Sequence, residues 1–446
     1  MRLGIVLLAA LSAACGGAPG SGSGDPRPDL LLLVSDDQGT VLGCYGAEDV
    51  QTPRLDALAS GGRRFRRAYA PSGVCTPSRS SIYTGLMPAH HGASGFGPVR
   101  DGVPLWGDLL GAAGYRTGLI GKVGAKPLRR FSFDFISRSD REDEGARSLE
   151  WHVEQLEAFL EEDDGRPWAL VVNFRDSHWP FPTDGAPFQE APLPPHDPAS
   201  VRVPPELVDT PAVRAELARY HDGLRRMDAT VGAMLDHLGG PQDGLVGFFT
   251  SDNGPPFPLA KTTLYEAGIH MPLLAFGAGV QPGVDDHLVS LIDLLPTFLE
   301  LAGTAPGDRF DGRSLVPLLA GEDPVGWRSA VFGTHDAHRV EPVIPCRSVR
   351  FGDWKYVRTW GEGLRFENGV MLTSDTWPEM VRAAELDPGV RARVLRLQHR
   401  PAEELYDLSV DPRELVNLAG SPEAAGALSE GRRLIEASPL IDLPAR

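Results

Sequence analysis

The chain alternates short, nearly unbroken apolar runs with amphipathic stretches. Leu30 to Val34, Thr117 to Ile120, Trp168 to Phe174 and Leu245 to Phe249 are continuous rather than alternating. That pattern predicts parallel strands buried on both faces. Each run empties into polar residues: Ser35-Asp36-Asp37, Gly121-Lys122, Arg175-Asp176-Ser177-His178, and Thr250-Ser251-Asp252-Asn253-Gly254. Open α/β sheets bind ligands beyond the carboxyl ends of their strands. Four strands therefore deliver chemically capable side chains to one edge.

Helices fit between the strands. Thr52-Pro53 opens one that reaches about Ala59 and stops at Gly61-Gly62. Others are predicted from Asp108 to Ala113, from Pro211 to Leu238 (long and amphipathic, closed by Gly239-Gly240) and from Asp293 to Leu301. Pro182 to Pro205 is Pro-rich without periodicity and reads as a surface loop. From about Val340 the pattern shifts to strand-like Cys346 to Arg350 and Trp354 to Thr359, then a helix from Trp377 to Gln398. The expected fold is α/β. Residues 25–339 form a large domain with a central, mostly parallel sheet between helices, and 340–446 a small C-terminal α+β subdomain.

Residues 1–24 stand apart. Arg2 is a short positive start, and Gly4 to Ala14 is apolar but too short to span a bilayer. Leu11-Ser12-Ala13-Ala14-Cys15 resembles a bacterial lipobox, with Ser12 where Leu is usual, and Gly16 to Gly24 is a Gly/Ser tether. The expectation is an exported protein of the periplasm or cell envelope, touching the membrane only through a lipid anchor at Cys15. A plain secretory signal is the alternative.

Charge and cysteine content sharpen the picture. Lys and Arg total 43 against 60 Asp and Glu, a formal charge of -17. Such a chain is a poor non-specific binder of nucleic acid, and any anion site on it must be locally basic. Beyond Cys15 the cysteines are Cys44, Cys75 and Cys346, which cannot all pair, so a disulfide framework does not hold this protein together.

In Cys75-Thr76-Pro77-Ser78-Arg79, Pro77 suits the first turn of a helix, which puts Cys75 at the positive end of the helix dipole. Arg79 follows within about one helical turn. A nucleophile beside a cation and free N–H groups suits an anionic substrate. The adjacent Asp36 and Asp37, with Asp252 and Asn253 from another strand, form the second constellation. Two like charges ~4 Å apart repel by about 4 kcal/mol at an effective dielectric of ~20. Converging carboxylates therefore need a cation, a shared proton or separation, and oxygen donors favour Ca²⁺ or Mg²⁺. An Asp-Asp pair alone is more often a solvated loop.

The Cys-x-Pro-x-Arg pattern, continued by Ser80-Ser81-Ile82-Tyr83-Thr84-Gly85, resembles the formylglycine-dependent sulfatase family of the alkaline-phosphatase-like superfamily. Within it the likeness is to the N-sulfoglucosamine sulfohydrolase branch. Asp252-Asn253-Gly254-Pro255-Pro256-Phe257-Pro258 with Lys261-Thr262-Thr263-Leu264-Tyr265 supports this, as do Glu404 to Leu408, Asp411-Pro412 and Asn417-Leu418. The resemblance implies that a formylglycine-generating enzyme converts Cys75. It implies Ca²⁺ held by Asp36, Asp37, Asp252, Asn253 and the modified Cys75. It gives Lys122 and Lys261 contact with sulfate, Arg79 the task of holding residue 75, and His178 that of protonating the leaving group. A hydroxyl of hydrated formylglycine would attack sulfur, and the second would expel sulfate. The substrate implied is a sulfate ester or sulfamate, N-sulfated glucosamine or another sulfated carbohydrate.

One departure matters. The family's Gly-Lys-x-His is here Gly121-Lys122-Val123-Gly124-Ala125-Lys126, without the His; His90, His91 and Lys126 are candidate substitutes. Two other functions stay open: a formylglycine-dependent phosphonate or phosphate ester hydrolase, and a catalytically impaired protein that binds sulfated glycans. Arg63-Arg64 and Arg66-Arg67 read as a solvated turn and strand edge.

Overall fold

The computed structural model describes residues 27–138, 147–181, 194–241, 244–338, 343–361 and 363–444. The leader with Cys15, its tether and residues 182–193 of the Pro-rich stretch lie outside the described residues.

The apolar runs become strands β1 (Asp29–Ser35), β3 (Arg116–Gly121), β5 (Trp168–Asn173) and β6 (Leu245–Ser251). With β2 (Arg63–Tyr69), β4 (Phe135–Arg138), β7 (His270–Gly277), β8 (Gly283–Asp285) and β9 (Val289–Ser290) they form one sheet. Its order is β4-β3-β5-β1-β6-β7-β2-β8, with β9 beside β2. Among these strands β7 alone runs against the others. β3 and β6 are buried throughout and β1 from Leu30 onward, which explains apolar residues at successive positions instead of alternation.

Register fixes the site. Ser35 pairs with Ser251, so Asp36-Asp37 and Asp252-Asn253 leave neighbouring strands side by side. Val34 and Gly121 both pair with Asn173, which brings Lys122 to the same edge. The Pro53–Gly61, Leu149–Glu161 and Pro211–His237 helices pack together, as do Cys75–Thr84, Trp106–Ala112 and Leu294–Leu301. Trp106 stacks edge-on against Phe298, with ring centroids 4.4 Å apart.

Three expectations need adjusting. The small antiparallel sheet runs β10 (Ala330–His335), β11 (Cys346–Phe351), β12 (Trp354–Thr359), β13 (Glu403–Asp407), so its first strand lies upstream of Val340. The single helix expected from Trp377 to Gln398 is two, Thr376–Ala383 and Pro388–Gln398. Pro388 lacks an N–H and cannot continue the first helix. Asp387 starts the second, its Oδ1 accepting from Gly389 N (2.7 Å) and Val390 N (3.1 Å). Finally, the Arg63–Arg67 pairs lie within β2, a strand bonded on both sides. Arg63 is neutralised by Asp285 (2.8 Å) and Arg66 by Asp286 (2.5 Å).

Candidate active site

Cys75 is the first residue of a helix (Cys75–Thr84) in which every residue is buried. The preceding loop is pinned to the segment after Lys261: Thr262 N donates to Gly73 O (2.8 Å). A Cβ at Gly73 would lie 2.2 Å from Thr263 O, so only glycine permits this approach. One turn along, Arg79 is fully buried. Its Nε donates to Asp252 Oδ2 (2.8 Å), one terminal nitrogen donates to Asn173 Oδ1 and the other lies 3.8 Å from Asp36 Oδ1. Burial opposes its charge, but Asp252 and Asp36 outweigh it and push the guanidinium pKa up.

The acidic residues converge as the strand register requires. Asp37 sits at a left-handed φ of 59°, turning the chain beside Asn253, whose Nδ2 donates to Asp37 Oδ1 (2.8 Å). Lys261 Nζ donates to both Asp37 oxygens at 2.6 Å. Lys122 Nζ pairs with Asp36, and His178 Nε2 lies 3.7 Å from Asp37 Oδ2. Asp252 accepts from Arg79 and from the backbone N–H of Asp37 (3.1 Å). Burial raises the Asp252 pKa to about 7, with Arg79 opposing. Asp36 is held well below the usual carboxylate range: burial works against this, and Lys122, His178 and Arg79 prevail. Burial likewise drops His178 to about 3, despite Asp37.

This donor set suits a hard cation. Asp36, Asp37 and His178 each offer a ligand atom, all within 4.8 Å of one another. Asp36 Oδ1 and Asn253 Oδ1 are buried acceptors without a hydrogen-bond donor. Orphaned acceptors of this kind call for a proton, a water or a metal ion.

Cys75, Phe96, Arg175 and His178 line two lobes of one cleft. One lobe, about 560 Å³, adds Asp36, Lys122 and Lys126; the other, about 240 Å³, adds Asp37, Lys261 and His338. Of the predicted site residues, Cys75, Asp36, Asp37, Lys122, His178 and Lys261 line the cleft, while Asp252 and Asn253 are hydrogen-bonded to Asp37 and Arg79 to Asp252. The backbone behind His178 is clamped by Arg147, whose Nη1 donates to His178 O (3.3 Å) and Asp176 Oδ1 (3.2 Å).

The candidate substitutes for the missing His separate cleanly. His90 pairs with Asp311 (2.7 Å) at the surface. His91 is locked against Ser81 Oγ (2.9 Å), and burial lowers its pKa to about 3. Neither lines the cleft, whereas Lys126 does. Gly124 stands where the family has its His, at φ +66°, and a Cβ there would lie 2.2 Å from Arg79 Cδ. A side chain at 124 would therefore require Arg79 to take another path. Sequence reasoning missed Phe96, Arg138, Asn173 and His338. Phe96 and His338 come from irregular segments, and Arg138 ends a four-residue strand, so no periodicity marks them. Asn173, the last residue of β5, was within reach of the strand-end rule.

Comparison with known proteins agrees with this geometry. The sulfatase family profile matches residues 28–304, and that of the N-sulphoglucosamine sulphohydrolase C-terminal region matches 259–371. The chain is 34% identical to N-sulphoglucosamine sulphohydrolase of Homo sapiens, over 90% of this chain and 88% of that protein. It is 31% identical to arylsulfatase A of Homo sapiens, over 90% and 85%. Two solved structures share the fold. Phosphonate monoester hydrolase from Silicibacter pomeroyi has a TM-score of 0.69 at 20% identity, covering 92% of this chain and 94% of that one. A protein in complex with its substrate D-glucosamine-2-N,6-O-disulfate has a TM-score of 0.67 at 21% identity, covering 92% and 97%. The chain belongs to the sulfatase family, hydrolases of sulfate esters and sulfamates.

Proposed function

We propose that this enzyme removes sulfate from a sulfated carbohydrate, foremost the sulfamate of an N-sulfated glucosamine. It does so with a formylglycine made from Cys75 and with Ca²⁺ held by Asp36, Asp37, Asp252, Asn253 and residue 75. One observation carries the reading: Cys75 opens a buried helix into a cleft walled by Lys122, His178 and Lys261, beside buried acceptor oxygens that lack donors. The relative named N-sulphoglucosamine sulphohydrolase supports the choice of sulfamate.

Converted by a formylglycine-generating enzyme and hydrated, residue 75 supplies one hydroxyl to attack sulfur and a second whose deprotonation releases sulfate. The bound cation supplies charge neutralisation and eases ionisation of a hydroxyl. Arg79, fixed by Asp252 and Asn173, orients residue 75 and contributes positive charge that needs no reorganisation. Lys122 and Lys261 present ammonium groups in separate lobes and neutralise sulfate oxygens. His178 delivers the proton to the leaving nitrogen or oxygen. Burial disfavours its charged form, so the anions beside it, Asp37 and the sulfate itself, must stabilise that proton. The apolar Gly4 to Ala14 segment and Leu11 to Cys15 support export to the periplasm or envelope with a lipid anchor at Cys15.

Mass spectrometry of the peptide carrying residue 75, with sulfate release from N-sulfoglucosamine assayed on the same sample, tests the reading. A residue roughly 18 Da lighter than Cys is expected in active protein. An unmodified thiol in fully active protein refutes it.

A further inference from the structure

The larger lobe is more basic than sulfate release at residue 75 requires. Lys122, Lys126, Arg138 and Arg175 line it, and Asp36, already paired with Lys122, is its one acidic lining residue among the described residues. This concentration of cations occurs on a chain of net charge -17, so it is a local exception to a repulsive field. Topology builds it. β4 lies parallel to β3 with Arg138 opposite Gly121, so Arg138 stands one strand spacing, ~4.8 Å, from the residue before Lys122. Lys126 lies four residues beyond Lys122 in the following loop, with Nζ 5.9 Å from the Phe96 ring. Lys126 and Arg138 are both exposed, and no ion pair involves either among the described residues. The lobe's volume of about 560 Å³ exceeds what one sulfate needs. Phe96, shared by both lobes, offers an apolar face to a sugar ring between them.

We infer that the Lys126–Arg138 lobe is a subsite for a second anionic substituent, sulfate or carboxylate, on the substrate whose first sulfate lies at residue 75. The preferred substrate is then a polyanionic saccharide fragment, not a singly sulfated sugar. This rests on the sulfatase reading for the first anion and on the lobe's own cations for the second.

The test is equilibrium binding to full-length Cys75→Ala protein loaded with divalent cation. The ligands are N-sulfoglucosamine, its 6-O-sulfated form, and N-sulfoglucosamine linked to a uronate. The dianionic sugars should bind more tightly, and the arm with the larger gain identifies the second group. Lys126→Gln and Arg138→Gln should each lower the preference about threefold, and the double variant about tenfold, as expected for solvent-facing charges. Lys126→Arg should keep it. A preference near one, or one unchanged in the double variant, overturns the subsite. If protein with unmutated Cys75 releases no sulfate from any of the three while the preference persists, the sulfatase reading falls and the subsite stands.

Discussion

Two groups of buried charges can be compared, and they do opposite work. At the carboxyl edge of the large sheet, Asp36, Asp37 and Asp252 face Arg79, Lys122 and Lys261. Where that sheet meets the small domain, Glu266, Glu404 and Glu414 face Lys355 and Arg396, with tyrosine hydroxyls between them. The carboxylates of Asp36, Asp37, Asp252, Glu404 and Glu414 are nearly inaccessible, and burial raises carboxyls in both groups: Asp252 to about 7 in the first, Glu404 and, to about 8, Glu414 in the second. The difference lies in how the negative charge is met. Tyr265 donates to Glu404 (2.8 Å) and Tyr69 to Glu266 (3.0 Å), so neutral groups meet those two carboxylates, while Glu414 Oε1 is left without a donor, in a pocket with no cysteine among its described lining residues. The first group leaves Asp36 Oδ1 and Asn253 Oδ1 without donors, beside a nucleophile and an open cleft. Buried charge alone therefore does not identify a catalytic site. Unmatched acceptors converging on a reactive side chain do.

The strongest test of the contrast is Cys75→Ala. It should reduce turnover more than a thousandfold while the denaturant midpoint stays within experimental scatter, because a small side chain leaves a wall of the cleft. Retained activity would remove Cys75 from the chemistry. Chelation comes next. Dialysis against a strong chelator should lower activity at least about a hundredfold and reduce Tm, and added Ca²⁺ should restore both. Neither effect should need the glutamate network, so a Glu414→Gln variant should respond to chelator as the parent does.

The contrast also explains what was legible in the sequence. β1, β3, β5 and β6 are buried on both faces, so their residues announce them, and the site residues follow directly at their ends. The short β4 alternates between half-buried and exposed positions and leaves no run to read. Its Arg138 therefore stayed invisible. The glutamate network draws on residues 266, 355, 404 and 414, which share no motif and meet only through packing of one domain on the other. The break at Pro388 was readable in principle, since a proline after Asp387 is a helix start as well as a stop.

Lys355→Met probes the second group. Lys355 is fully buried and its Nζ lies 2.9 Å from Glu266 Oε1. Removing one partner of a buried pair strands the other, at a cost of roughly 3–5 kcal/mol. Urea unfolding should show that loss, while sulfate release per folded molecule stays within about twofold of the parent. A large fall in kcat with stability unchanged would mean that the network serves catalysis directly.

The smallest expected effect is a pH dependence of stability. Glu414 sits 3.8 Å from Lys355 Nζ, and its Oε1 has no hydrogen-bond donor. Burial lifts its pKa from 4.5 to about 8, against Lys355 and with help from Glu266. In the unfolded chain it ionises near 4.5, so between those values the folded state holds more protons than the unfolded one. Stability from this group is then full below pH 4.5 and declines as pH rises toward 8. Glu414→Gln keeps the shape without the proton equilibrium. It should flatten the slope and leave the variant more stable than the parent at pH 8, by on the order of 1–2 kcal/mol. At pH 5 the two should differ little. Equal slopes in both proteins would mean that Glu414 is ionised in the fold and that Lys355 balances two carboxylates at once, which would bring the second charge group closer to the first than the tyrosines suggest.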